Sequence, residues 1–261
     1  MKKVTSKDGT SIAYDQSGNG PILILVDGAL CSRNFGPMPK LAELLTGHFT
    51  VINYDRRGRN DSGDTQPYAP EREIEDLAAI IKATGESVYV AGISSGAALA
   101  LAATASGLNI KKLALYEAPF DVDNTGHKAP KDSLQKLQKM IAEDRRGDAV
   151  KFFLHDMIGV PSFAVFMMKL MPVFKKLKAS AHTLPYDIEL LGDLSLPEKE
   201  AVSIKVPTLV GYGEKSPGSM QNAMKKLSDT IPGAELQMFK GQTHNISGKA
   251  LAPALIEFFG E

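Results

Sequence analysis

The sequence predicts an α/β fold: a mostly parallel central sheet with helices on both faces and an inserted helical segment. Three observations point to it. Continuous apolar runs recur at residues 21–26, 50–54, 87–91, 112–116 and 207–212, with helical patterns between them. Strands that lack polar alternation are buried on both faces, which is the condition of a parallel sheet covered by helices. The run at 87–91 also passes through Gly92-Ile93-Ser94-Ser95-Gly96 into the small-residue stretch 97–103, a strand, a tight turn and a helix in succession. Finally, the buried-strand signal is missing between residue 121 and about residue 201, where helical patterns replace it.

Residues 4–6 and 10–14 flank Asp8-Gly9, a hairpin signal. Residues 21–26 read as a buried strand, 37–45 as a helix, 50–54 as a second buried strand and 70–82 as an amphipathic helix with acid at its start. The third and fourth buried strands are 87–91, leading into the helix after Gly96, and 112–116. Residues 133–141 and 148–158 carry helical patterns in a segment rich in Met, Phe and Lys. The sheet pattern resumes at 207–212, followed by a helix near 219–227, a strand at 235–239 and a final helix from about 247 to 259. The expected organisation is one sheet domain made of residues 1–120 and 201–261, with a helical insertion at 121–200.

Composition excludes several classes of function. Thirty basic residues against thirty acidic ones give no net charge, so electrostatic capture of nucleic acid or of an anionic membrane is not expected. The single cysteine, Cys31, rules out an internal disulfide framework and a cysteine-built zinc site, and fits a reducing, cytoplasmic setting. The N-terminus turns polar at once, with no apolar core of signal-peptide length. The most apolar stretch, 161–177, is broken by Lys169, Lys175, Lys176 and two prolines, so no bilayer span is expected. No G-x-x-x-x-G-K-[ST] and no His-rich metal spacing occurs, and no cofactor or metal is expected.

Chemistry concentrates at Ser94. A turn this sharp crowds its neighbours, and glycines two before and two after relieve the crowding. The apex hydroxyl then stands clear of the backbone beside the positive end of a helix. That arrangement is a nucleophile elbow, and a serine there needs a base to become nucleophilic.

With the elbow, the strand order and the insertion together, the chain resembles the α/β-hydrolase fold family along its whole length. The loop of residues 55–63 is similar to the family's loop after its fourth strand, residues 26–30 to its oxyanion loop, and residues 241–244 to its histidine loop. The resemblance implies that the insertion is a helical cap over the active site. It also implies His244 as general base, since the order serine, acid, histidine is the one this fold uses. The other histidines, His48, His127, His155 and His182, read as surface or structural residues, although His182 could reach substrate from the cap.

The acid departs from the pattern. Where many relatives carry Gly-x-x-Asp after the seventh strand, this chain has Gly213-Glu214-Lys215-Ser216. Glu214 lies in that loop two positions early. Glu117, in Glu117-Ala118-Pro119, directly follows the strand at 112–116, where some members of the fold take their acid. Glu117 is preferred, Glu214 is the alternative, and a Ser94–His244 dyad is the third option. The resemblance further implies an oxyanion hole from the backbone N–H groups of Ala29 and Ser95. Asp27 stands where many relatives have histidine, in a structural hydrogen-bonding role or as a charge that depresses activity. Arg56, Arg57 and Arg59 read as structural, and Asn60, replacing the usual glycine, tolerates positive φ.

The expected activity is a serine hydrolase acting on a small to medium ester, lactone or thioester with an apolar part. Met157, Phe163, Phe166, Met167, Met168, Met171 and Phe174 read mostly as helix packing, with a minority facing the crevice. Haloperoxidase-like, perhydrolase and carbon–carbon hydrolase chemistry stay open on the same site, as does a ligand-binding protein with weak catalysis. The partner is a small molecule; oligomeric state is not legible.

Overall fold

The computed structural model describes residues 1–260. The chain opens with an antiparallel hairpin, β1 (Lys2–Thr5) and β2 (Ser11–Ser17), with Val4 opposite Ile12. Gly9 takes φ +88° at its turn, the left-handed position that glycine adopts without a Cβ clash. There follow β3 (Ile22–Val26), α1 (Met38–Leu45), β4 (Thr50–Tyr54), α2 (Pro70–Thr84), β5 (Val88–Ile93), α3 (Ser95–Ala105) and β6 (Ile110–Tyr116). The helices α4 (Ser133–Ala142), α5 (Arg146–Phe152), α6 (Ser162–Lys169), α7 (Val173–Ser180), α8 (Leu184–Leu191) and α9 (Glu198–Ser203) come next. The chain then returns to the sheet with β7 (Thr208–Gly213), α10 (Gly218–Thr230), β8 (Glu235–Phe239) and α11 (Gly248–Gly260).

The sheet order is β1-β2-β4-β3-β5-β6-β7-β8, with β3 to β8 parallel to one another and β2 antiparallel to both of its neighbours, β1 and β4. Alternate residues of β3 serve opposite faces. Ile22, Ile24 and Val26 pack with Leu77 and Ile80 of α2, the alanines of α3 and Met224 of α10. Leu23 and Leu25 pack with Met38 and Leu41 of α1 and Leu251 and Leu255 of α11. Both faces are therefore covered, which explains why β3 carries no polar residue.

The helices between β6 and β7 build a cluster of their own, with Leu137, Val150, Phe174, Leu177 and Leu184 gathered on Leu30 from the loop after β3. The helix expected over 148–158 is instead α5 followed by a π-helical turn at Phe153–Met157. Residue 200 falls inside α9, which packs on α3 and α10 and sends Ala201 into the sheet domain's core. Helix α6 packs only lightly, against α7 and the π-helical turn. As a result Phe163, Phe166, Met167 and Met171 are exposed, and fewer of the expected packing residues are packed. Phe174 is buried, and Met157 and Met168 pack partly.

Candidate active site

Ser94 sits between β5 and α3 with φ 57° and ψ −130°. A serine held there costs on the order of 1–3 kcal/mol, and only a surrounding frame that over-determines the backbone keeps it in place. Its N–H donates to the Tyr116 carbonyl at 2.9 Å, and its carbonyl accepts from Ala97 N–H at 2.9 Å. A Cβ on Gly92 would lie 2.5 Å from the Gly96 carbonyl oxygen, and one on Gly96 would lie 2.3 Å from that of Val26. The glycines of the motif are thus required by backbone contacts on both sides of the turn. From Val90 to Ala100 every residue but Ser94 is buried, and from Ile22 to Leu30 every residue but Ala29 is.

Among the described residues, Ser94 is one of seven non-glycine residues with positive φ. Leu30 in the loop after β3, Asn60 in the loop after β4 and Glu117 after β6 are three others, so backbone strain gathers around one end of the sheet. Asn60 takes φ 45°, as its tolerance of that region predicts.

Glu117 is fully buried, and its two carboxylate oxygens are both engaged. Oε1 accepts from the Gly213 N–H at 2.7 Å, and Oε2 lies 2.8 Å from His244 Nδ1. With the carboxylate on Nδ1, that nitrogen carries the proton and Nε2 is left as the free acceptor. The histidine loop is held close by three further contacts. Tyr116 Oη donates to the Thr243 carbonyl at 2.7 Å, Lys215 N–H donates to the Gln242 carbonyl at 2.8 Å, and a Cβ on Gly213 would lie 2.6 Å from that same carbonyl oxygen. The His244 side chain is 40 % exposed, so it meets both the buried carboxylate and the solvent.

Glu214 does something else: its Oε2 accepts from the Gly241 N–H at 2.7 Å and steadies the turn before the histidine. Ser216, at the position where the resemblance puts an aspartate, is buried with its hydroxyl unpartnered among the described residues. The remaining histidines are engaged elsewhere. His127 contacts the Asp156 carbonyl, His155 the Val160 carbonyl, and His182 lies 3.9 Å from Asp64. His48 is on the surface.

The loop carrying Ala29 lies directly on the serine, since a Cβ on Gly28 would be 3.0 Å from Ser94 Cβ and 3.5 Å from its Oγ. Ser95 opens α3, so its N–H has no partner within the helix. Asp27 is buried with Oδ1 accepting the Gly28 N–H at 2.9 Å, which gives it a structural task in the loop. Burial pushes its carboxyl up to about 7, against the pull of the Gly28 N–H and of Arg59.

The alpha/beta hydrolase family model matches residues 22–248. The chain belongs to the alpha/beta hydrolase family. It is similar over 99 % of its length, at 49 % identity and a TM-score of 0.94, to the whole of an alpha/beta hydrolase of known structure from Sphaerobacter thermophilus DSM 20745. An esterase from Exiguobacterium antarcticum shares the fold at 20 % identity and a TM-score of 0.78, over 100 % of this chain and 99 % of its own. The uncharacterized hydrolase YraK of Bacillus subtilis (strain 168) is 34 % identical over 97 residues, 36 % of this chain. That match spans about a third, 35 %, of YraK's own length.

This member of the family also carries a buried charge cluster assembled from residues far apart in the chain. Arg56 pairs with Glu73 of α2 and with Asp187 of α8, and Arg59 grips Asp187 through both carboxylate oxygens, at 3.0 and 2.8 Å. Ser95 Oγ donates to Asp187 at 2.7 Å. Burial alone would raise the Asp187 carboxyl, but Arg59 and Arg56 outweigh it and hold it below the usual range. Arg57 stands apart, paired with Asp76 and Asp8. Asp187 lies 131 residues from Arg56 in the chain, and no local pattern marks it.

Proposed function

We propose that the protein is a serine hydrolase that cleaves a small to medium carboxylic ester, lactone or thioester bearing an apolar part. The observation that carries this reading is the buried Glu117 carboxylate on His244 Nδ1, at 2.8 Å, on the residue next to Tyr116, whose carbonyl accepts the N–H of the strained Ser94. A carboxylate so placed fixes the imidazole tautomer and stabilises the imidazolium that forms in the reaction.

In the first half-reaction His244 Nε2 takes the Ser94 hydroxyl proton as Oγ bonds to the acyl carbon. The carbonyl π bond opens to an oxyanion held by the Ala29 and Ser95 N–H groups, each contributing on the order of 2.7–4 kcal/mol to the transition state. The oxyanion re-forms the carbonyl as the bond to the leaving oxygen or sulfur breaks, and that atom receives the proton from His244, leaving the acyl group on Ser94. In the second, His244 deprotonates water, which attacks the acyl carbon; Oγ leaves with the proton and the acid is released. The helices between β6 and β7, seated on Leu30, serve as the cap, and their Met and Phe residues supply an apolar lining for the acyl or alkyl group. One cysteine and no disulfide suit a cytoplasmic enzyme.

The test is hydrolysis of p-nitrophenyl acetate, butyrate and octanoate by the wild type and by Ser94→Ala. Turnover of the esters that is lost in the folded variant supports the reading. Equal rates in both proteins would contradict Ser94 as nucleophile, and no turnover of any of the three esters would favour a ligand-binding protein.

A further inference from the structure

The two candidate oxyanion donors are tied to one buried carboxylate. Arg59 Nη1 donates to the Gly28 carbonyl oxygen at 2.6 Å and to that of Cys31 at 3.3 Å. Its Nη2 holds both oxygens of Asp187, and its Nε donates to Thr183 Oγ1 at 3.2 Å. All five guanidinium protons thus have an acceptor, and the side chain is almost completely buried. The carbonyl of Gly28 and the N–H of Ala29 belong to a single planar peptide unit and point in opposite directions. A cation on that carbonyl therefore fixes the direction of the Ala29 N–H and draws charge toward the oxygen, making the N–H a stronger donor. The other donor residue, Ser95, sends its hydroxyl to the same Asp187 Oδ1 at 2.7 Å, and Arg56 Nη1 reaches Ser95 Oγ, Asp187 and the Asp27 carbonyl, at 3.1, 2.8 and 3.3 Å.

We propose that Arg59 and Asp187 are positioning residues of the oxyanion hole: Arg59 orients and polarises the Gly28–Ala29 peptide, and Asp187 of α8 locks that arginine and Ser95 into one frame. The proposal rests on the serine-hydrolase reading. It gives the inserted helices a part in the chemistry, because the carboxylate that holds both donors comes from α8 and sits above α3. Simple structural glue would need charge pairing alone; the contact that points to positioning is the short one to the Gly28 carbonyl, on the peptide unit that carries a donor.

The experiment uses the full chain as wild type, Arg59→Lys and Ser95→Ala, each checked by thermal melt. Three quantities are read: kcat and KM for p-nitrophenyl butyrate, Ki for an alkyl trifluoromethyl ketone, and Ki for the matching methyl ketone. The fluorinated ketone forms a hemiketal oxyanion on the serine, whereas the methyl ketone reports ground-state binding. Lysine keeps the charge but cannot fork between Gly28 and Asp187. For Arg59→Lys, kcat and the trifluoromethyl ketone affinity should fall together by about tenfold or more, a part of the 10²–10³ that loss of a whole donor costs. KM and the methyl ketone Ki should stay within about threefold. For Ser95→Ala, which decides the matter should Arg59→Lys not fold, the expected loss of trifluoromethyl ketone affinity is severalfold. Unchanged trifluoromethyl ketone affinity in a folded variant overturns the proposal, as does an equal weakening of both ketones. A wild type that forms no hemiketal and turns over no ester overturns the serine-hydrolase reading itself, and the proposal with it.

Discussion

Glu117 Oε2 lies 2.8 Å from His244 Nδ1, although the two residues are 127 positions apart and Glu117 ends a different strand from the one that relatives with Gly-x-x-Asp use. The second oxygen of the carboxylate is held by the Gly213 N–H at 2.7 Å, so the strand that lacks the acid still orients it. Glu117→Gln should therefore lower kcat by two to four orders of magnitude, on the order of the loss seen when a triad carboxylate becomes an amide. Glu214→Gln should leave kcat little changed, because the amide oxygen can still accept the Gly241 N–H. Parallel ester kinetics on the two variants check this; a larger loss from Glu214→Gln would move the acid to the loop after β7.

The strain at Ser94 predicts a trade between stability and activity. Glycine adopts φ 57° without penalty, so Ser94→Gly should be inactive yet more stable by about 1 kcal/mol, once glycine's greater loss of chain entropy is counted. Gly96→Ala should go the other way, since its Cβ would meet the Val26 carbonyl oxygen at 2.3 Å, and a rigid strand cannot yield. Chemical denaturation of both variants checks the signs; a less stable Ser94→Gly would contradict the account of the turn.

Asp27 makes a pH prediction. Folded, it keeps its proton up to about 7, whereas unfolded it releases it near 3.8. Its contribution to stability is therefore complete below the unfolded value and is lost as pH rises through about 7. Asp27→Asn keeps an acceptor for the Gly28 N–H and has nothing to ionise. Relative to wild type, its denaturation midpoint should rise steadily between pH 4.5 and 7.5 and level off above. A difference that is constant over that range would contradict the assignment.

The pair of Arg57 with Asp76 is a structural counterpart to the site. Both are buried, and Arg57 uses Nε and Nη2 on the two oxygens of Asp76, at 2.8 and 2.7 Å. Asp76→Ala leaves a buried guanidinium with only Asp8 to compensate it, and should cost about 3–5 kcal/mol of stability with kcat per folded molecule preserved. Denaturant midpoints and active-site-normalised rates would show whether the loss is confined to stability.

How much of this was legible beforehand depended on the range of the signal. Period and turn chemistry are local, so the hairpin at Gly9, the buried strands and the elbow at Ser94 could be read directly, and β4 and β8 fall on the residues expected, 50–54 and 235–239. The choice between Glu117 and Glu214 was harder, because it turns on which carboxylate the fold brings to His244. The Arg59–Asp187 pair lay beyond reach: the two residues are 128 positions apart, and either alone looks like a solvated charge. The exposed face of α6 was misjudged for the opposite reason. Phe163, Phe166 and Met167 carry a packing signal, but the helix has few neighbours to pack against.

Intact-mass spectrometry after incubation with a fluorophosphonate probe asks whether Ser94 is a nucleophile driven by His244 and Glu117, on wild type, Ser94→Ala, Glu117→Gln and Glu214→Gln. One adduct per wild-type chain is expected, none on Ser94→Ala, strongly slowed labelling of Glu117→Gln and near-normal labelling of Glu214→Gln. A folded wild type that takes up no probe, or a Ser94→Ala that labels as well as wild type, would contradict that role for Ser94.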